Sequence, residues 1–145
     1  MDEVILRQAC AADLPAIRTL IYQVGINPLG LNWRRFLVAE TQAGEFIGCG
    51  QLKPHFDGSM ELASLAVVPA WRGRGVARRI IQQLMRNAPR PLYLTCLAHL
   101  GAFYEKFGFR VLGPEEMPPY FRRLYWLARL AGKFLCWKLL VMKAD

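Results

Sequence analysis

The stretch Leu65-Ala66-Val67-Val68-Pro69-Ala70-Trp71-Arg72-Gly73-Arg74-Gly75-Val76-Ala77 decides the fold. An apolar run ends at Pro69, which has no N–H to give a sheet ladder. A turn with two glycines follows, and Val76 opens a segment to Asn87 in which Val76, Ile80 and Leu84 share one face at helical spacing. A strand that passes through such a turn into a helix leaves the first helical N–H groups free and pointing outward, where the helix dipole adds partial positive charge. Gly73 and Gly75 let an anion approach the main chain because no side chain stands in its way. The ligand this arrangement suits is a phosphate or pyrophosphate, with a generic glycine turn as the alternative reading. Two phosphate motifs are excluded. No Gly-Lys-Ser/Thr follows the turn, so it is not a P-loop. The dinucleotide fingerprint fails because its third glycine position is Arg78 and no acidic residue follows about 20 positions on.

Outward from this segment, the remaining elements alternate. Val4–Gln8 reads as a first strand, and Asp13 as the N-cap of a helix carrying Leu14, Ile17, Leu20, Ile21 and Val24 at helical spacing. Breakers across 25–32 mark a loop. Residues 36–40 and 45–53 read as strands joined through Gln42-Ala43-Gly44, and Asp57-Gly58 is a hairpin turn leading into a strand over 60–68. Beyond the central helix, 91–97 suits a buried strand and 100–107 a helix closed by Gly108; 109–112 reads as a strand. A further helix is expected over 118–131, stopped by Gly132, and a last strand over 135–142. This order predicts an α/β chain with a mixed sheet and helices on both faces, antiparallel through its first half and parallel across the helix at Val76–Asn87. No repeat or linker interrupts it, so residues 1–145 read as a single domain.

Nineteen Lys and Arg against eleven Asp and Glu give a net charge of +8, which favours an anionic partner. The excess is unevenly placed. Between Glu61 and Glu105 there is no acidic residue, yet there are six arginines, Arg72, Arg74, Arg78, Arg79, Arg86 and Arg90. They gather at one glycine turn with few aromatics interleaved as stacking platforms, so nucleic acid is not the expected partner. Cys10, Cys49, Cys96 and Cys136 lie far apart, and only His55 and His99 are available to join them. A metal site is therefore not expected, and reduced, mostly buried thiols in a cytoplasmic protein are the better account. Met1-Asp2-Glu3-Val4 lacks the basic start and apolar stretch of a signal peptide. No run reaches the ~20 apolar residues of a spanning helix, so stable membrane insertion is not expected.

Arg72-x-x-Gly75-x-Ala77 after a strand resembles the coenzyme A pyrophosphate motif of the GNAT N-acetyltransferase superfamily. The block Phe103-Tyr104-Glu105-Lys106-Phe107-Gly108-Phe109 resembles that family's later helix and strand, and the element string matches from Val4 to Met142. The resemblance implies a GNAT-like acyl-CoA N-acyltransferase fold and the transfer of an acetyl group from acetyl-CoA, as cosubstrate, to a primary amine. It implies that main-chain groups of Leu65, Ala66 and Val67 bond the pantetheine arm. It also implies that amides along Arg72, Gly73, Arg74, Gly75, Val76, Ala77 and Arg78 hold the pyrophosphate. The side chains of Arg74, Arg78 and Arg79 are candidate phosphate contacts, with solvated helix arginines as the alternative. Tyr104 is then the general acid that protonates the departing thiolate, its alternative being a tyrosine packed beside Phe103 and Phe107. Glu61 is the candidate base for the attacking amine, directly or through a water, the alternative being a solvent-facing residue beside the hairpin. His55 and Glu40 are weaker substitutes, each expected at the surface. A bulge near Leu65 is also implied, and it bears on which way Glu61 faces.

The chain departs from the family in three places. Many relatives carry Asn near the position of Leu97; the loop over 25–33 is short where an acceptor-binding helix is common; and 119–131 looks like an addition. That addition is rich in aromatics and arginine, and is open to three readings: a cap over the acceptor, a homodimer contact or a helix on a membrane surface, with core and oligomer packing favoured. The competing function is a non-catalytic module that senses acyl-CoA without turnover.

Overall fold

The computed structural model describes residues 3–135 and 138–145. The elements are β1 (Val4–Gln8), α1 (Leu14–Val24), β2 (Phe36–Thr41), β3 (Phe46–Pro54), β4 (Met60–Val67), α2 (Val76–Asn87), β5 (Leu92–Leu97), α3 (Gly101–Glu105), β6 (Arg110–Val111), α4 (Pro119–Leu135) and β7 (Leu139–Ala144). Seven strands make a mixed sheet in the order β1-β2-β3-β4-β5-β7-β6. Pairing is antiparallel for β1–β2, β2–β3, β5–β7 and β6–β7, and parallel for β4–β5, where Met60 meets Leu92 and Glu61 meets Tyr93. The mixed sheet and the order of elements are as expected from the sequence.

The chain divides into two compact units, Met1–Leu52 with Leu62–Ala88, and Lys53–Glu61 with Pro89–Asp145. In the first, Ile17, Leu20 and Ile21 of α1 pack with Phe36, Val38, Cys49 and Ala66. On the other face, Ile80 of α2 sits against two glycines of β3. A Cβ on Gly50 would come within 2.9 Å of Ile80, and one on Gly48 within 3.0 Å of the Ala66 carbonyl. A side chain at Gly50 would press on Ile80 and Leu84 of α2, so this glycine lets the helix pack close to the strand. In the second unit, Tyr93, Leu112, Met117, Phe121 and Val141 form the core, with Tyr120 and Tyr125 packed against it.

Several boundaries differ from the sequence reading. Asp13 precedes α1 but makes no side-chain cap to it. Its carboxylate instead accepts from the Cys10 amide at 2.7 Å and from both terminal nitrogens of Arg7 at 2.8 Å. The charge of Arg7 outcompetes a neutral helix amide for it. Gly132 does not stop α4, which continues to Leu135; a single glycine costs a helix only about 1 kcal/mol relative to Ala. The last strand accordingly starts at Leu139 rather than 135, and residues 136 and 137 lie outside the described residues, Cys136 among them. The helix expected over 100–107 is regular only across α3, and the strand over 109–112 only across β6. Cys49 and Cys96 are buried thiols, but Cys10 is exposed. Among the described residues, no helix is long and apolar enough to cross a membrane.

Candidate active site

In the first unit, β4 leads into the glycine turn with one irregularity. Ser64 adopts φ +55°, the left-handed region that an L-residue other than glycine occupies at a cost of roughly 1–2 kcal/mol. It is held there from β3: Gln51 Nε2 donates to Ser64 Oγ at 2.8 Å and the Cys49 thiol to the Ser64 carbonyl at 3.6 Å. Gln51 is wholly buried, and its Oε1 has no hydrogen-bond partner among the described residues. Beyond Ser64, Ala66 is buried while Leu65 and Val67 are half-buried. Sequence reading found neither Gln51 nor Ser64, because their pairing depends on the register of two strands.

The turn itself has Gly73 at φ +76° and Gly75 at φ +80°. A Cβ at either position would meet nothing within 4 Å, so glycine is required there by the backbone and the space beside the turn is open. Gly75 is the N-cap of α2, whose start has no side-chain cap and whose first turn has no acidic residue. Val76 is buried, Ala77 half-buried, and Arg72, Arg74 and Arg78 are exposed. Arg72 and Arg79 are already engaged within the unit. Arg72 Nε donates to the Val67 carbonyl at 3.2 Å, and Arg79 Nη1 donates to the Val4 carbonyl at 2.7 Å, which ties α2 to β1. Arg74 lies over the Trp71 ring at 4.8 Å. Glu40 is bound to Arg7 at 3.0 Å rather than standing as a free base. An apolar groove along α1, lined in part by Pro15, Thr19, Phe46 and Val68, contains none of the candidate residues.

In the second unit, Tyr104 is half-buried on α3, its ring edge-on to Phe103 and Phe109 at 5.1 and 6.2 Å. Burial, with the charge of Cys96 adding to it, pushes its pKa up to about 12, so it carries its proton throughout the neutral range. Glu61 is not solvent-facing: it is 7% exposed, beside Tyr93 in the parallel ladder. His55, expected at the surface, has a side chain only 6% exposed, with Nε2 at 2.7 Å from Glu61 Oε1. The His55 ring stacks on Tyr120 at 3.6 Å and 16° and meets the edge of Phe121 at 5.5 Å. Tyr120 belongs to the aromatic segment over 119–131, for which a cap over the acceptor was one of three readings of the sequence. It lies far along the chain, and only the packing of α4 brings it to the hairpin. Leu97 is exposed at the end of β5.

Comparison with known proteins sets this geometry in a family. The model of the acetyltransferase (GNAT) domain matches residues 32–111, a span that holds the glycine turn, Glu61 and Tyr104. A search of curated protein sequences found no significant match. Among solved structures, N-acetylglutamate synthase from Neisseria gonorrhoeae, complexed with coenzyme A and L-arginine, superposes with a TM-score of 0.78 at 22% identity, covering 98% of this chain and 33% of that one. The chain thus spans about a third of the length of that synthase. Rv2747 from Mycobacterium tuberculosis, in complex with CoA and NLQ, gives 0.75 at 23% identity over 97% of this chain and 98% of its own. An acyl-CoA N-acyltransferase from Pseudomonas aeruginosa gives 0.67 at 16% identity over the whole of both chains. At these identities the likeness is one of fold.

Proposed function

The chain belongs to the GNAT family of acetyltransferases, and from that premise we propose that it transfers the acetyl group of acetyl-CoA to a primary amine by direct attack. The reading takes residues 1–145 as one acetyltransferase domain acting in the cytoplasm. The observation that carries it is the glycine turn: two left-handed glycines with open space beside them, at a helix start free of side-chain caps and acidic residues. A pyrophosphate suits such a place, because main-chain N–H groups and the helix dipole supply its counter-charge without a desolvated cation.

When bound, acetyl-CoA supplies a thioester, whose carbonyl carbon is the electrophile. Amides along Arg72, Gly73, Arg74, Gly75, Val76, Ala77 and Arg78 hold its phosphates, and main-chain groups of Leu65, Ala66 and Val67 orient its pantetheine arm. Glu61 takes the proton that a protonated amine must lose before its lone pair can attack. Tyr104, kept neutral by its surroundings, gives its O–H to the sulfur as the carbon–sulfur bond breaks.

The test is a panel of small amines and peptides incubated with acetyl-CoA, reading both released thiol and acetylated product. Matched appearance of the two on at least one amine is expected. Saturable binding of acetyl-CoA with no product on any amine would replace the reading with that of a sensor module.

A further inference from the structure

A buried carboxylate needs a partner, since removing its charge from water costs several kcal/mol. Glu61 has one within its own unit. At 2.7 Å, His55 Nε2 lies at the short end of the range for charge-assisted hydrogen bonds. A carboxylate in its ionised form only accepts, so a contact with one requires the proton on Nε2, pointing at Oε1. That contact orients the carboxylate and leaves Oε2 as its second acceptor.

The imidazole is in turn fixed by α4. Tyr120 covers one face of the ring, and the Tyr120 amide donates to Asp57 Oδ2 at 3.0 Å. Asp57 Oδ1 accepts from the Ser59 amide and hydroxyl at 2.9 and 2.5 Å, so the hairpin turn itself anchors the first turn of α4. Among the described residues, the titratable groups around the ring are Glu61 from β4, Asp57 from the turn and Tyr120 from α4, with Tyr93 beside Glu61 on β5 and Arg123 over the neighbouring Phe56. The charge of Glu61 also contributes, after burial, to raising the pKa of Tyr120.

We propose that His55 is the positioning residue for the base: its Nε2–H holds Oε1 of Glu61, so that Oε2 takes the amine proton, and the first turn of α4 keeps the imidazole in place through Tyr120. The proposal rests on the acetyltransferase reading and assigns a role in it to α4. The proton balance is simple. The ammonium N–H bond breaks to Oε2, the freed lone pair forms the new bond to the thioester carbon, and the thiolate leaves toward the Tyr104 hydroxyl.

Two measurements on the full chain test it. With only two histidines in the sequence, nitrogen NMR distinguishes His55 by comparison with His99→Gln. The expected wild-type signature is a protonated Nε2 with a downfield proton that moves upfield in Glu61→Gln, because a neutral acceptor binds it less strongly. An Nδ1–H tautomer, or a signal indifferent to Glu61→Gln, overturns the proposal without an assay. The kinetic arm follows kcat/KM against pH on an amine that the panel shows to be a substrate. His55→Leu removes a hydrogen bond to the ionised acceptor, so kcat/KM should fall roughly ten- to a hundred-fold and the acidic limb should move to higher pH. His55→Gln, which restores an N–H donor, should recover part of both, and thermal melts identify any variant that has merely unfolded. Tyr120→Ala, which removes the stacked ring, should follow His55→Leu in direction, and Tyr120→Phe, which keeps it, should lose less than Tyr120→Ala. An unmoved acidic limb in folded His55→Leu overturns the positioning role alone. Failure of wild type to acetylate any amine overturns the enzyme reading and this role with it, and leaves the NMR signature intact.

Discussion

Tyr104 holds its proton more tightly than an ordinary tyrosine, which constrains how it serves the leaving group. With its pKa pushed up to about 12, complete transfer to a thiolate of ordinary pKa, ~8.5, runs roughly 3.5 units uphill, or about 5 kcal/mol. It therefore gives its O–H to the sulfur only as the thiolate charge develops. Tyr104→Phe should cut kcat by roughly ten- to a thousand-fold while leaving acetyl-CoA affinity almost unchanged. The sign of the shift gives a second expectation: the neutral donor form persists as pH rises, so no loss of rate from Tyr104 ionisation should be seen until pH approaches about 12. Rate–pH profiles of the two proteins check both, and wild-type turnover in Tyr104→Phe, where chemistry limits the rate, removes the role. The helix that carries Tyr104 was legible in the sequence because its signals are local. The burial of His55 was not, because Phe121 and Tyr120 reach it from the far side of a sequence gap that no pattern spans.

The strand, glycine turn and helix over 65–87 form the element on which the functional reading turns. Both turn glycines have positive φ with open space beside them, so a side chain at Gly75 has two separable consequences. Backbone strain of roughly 1–2 kcal/mol lowers the melting temperature, and the new side chain enters the space an anion would use. Gly75→Val should therefore show a modest fall in melting temperature and at least a roughly ten-fold weaker coenzyme A affinity by calorimetry. Unchanged affinity in the folded variant contradicts the anion site. This element was readable because Pro69, the glycines and the apolar spacing of α2 all act within one segment. The end of α4 was misread for the opposite reason: Gly132 marks a helix end only where the chain also turns left-handed, and nothing local decides that.

At the scale of the whole molecule, stability depends on ties that join distant segments. In the first unit Arg7 binds Asp13 at 2.8 Å and Glu40 at 3.0 Å, joining β1 to the entry of α1 and to β2. The hydrogen bonds from Arg7 hold the Asp13 carboxyl well below the usual carboxylate range, against the opposing effect of burial. A lowered pKa means that the folded chain favours the ionised form, so this stability is present above the ordinary aspartate value of ~3.9 and is lost as pH falls below it. Asp13→Asn should melt lower than wild type near neutrality and lose less stability between about pH 5 and about pH 2. Parallel melting curves across that range would show that the cluster contributes nothing to acid sensitivity. Such ties cannot be read from spacing alone, which is why Asp13 reads as a helix cap in the sequence and stands as an ion-pair partner in the fold. The most direct measurement is a crystal structure of the full chain grown with coenzyme A. The pyrophosphate oxygens should lie within hydrogen-bond distance, about 2.7–3.2 Å, of main-chain N–H groups across residues 72–78. An ordered coenzyme whose pyrophosphate lies away from Gly73 and Gly75 would contradict the account.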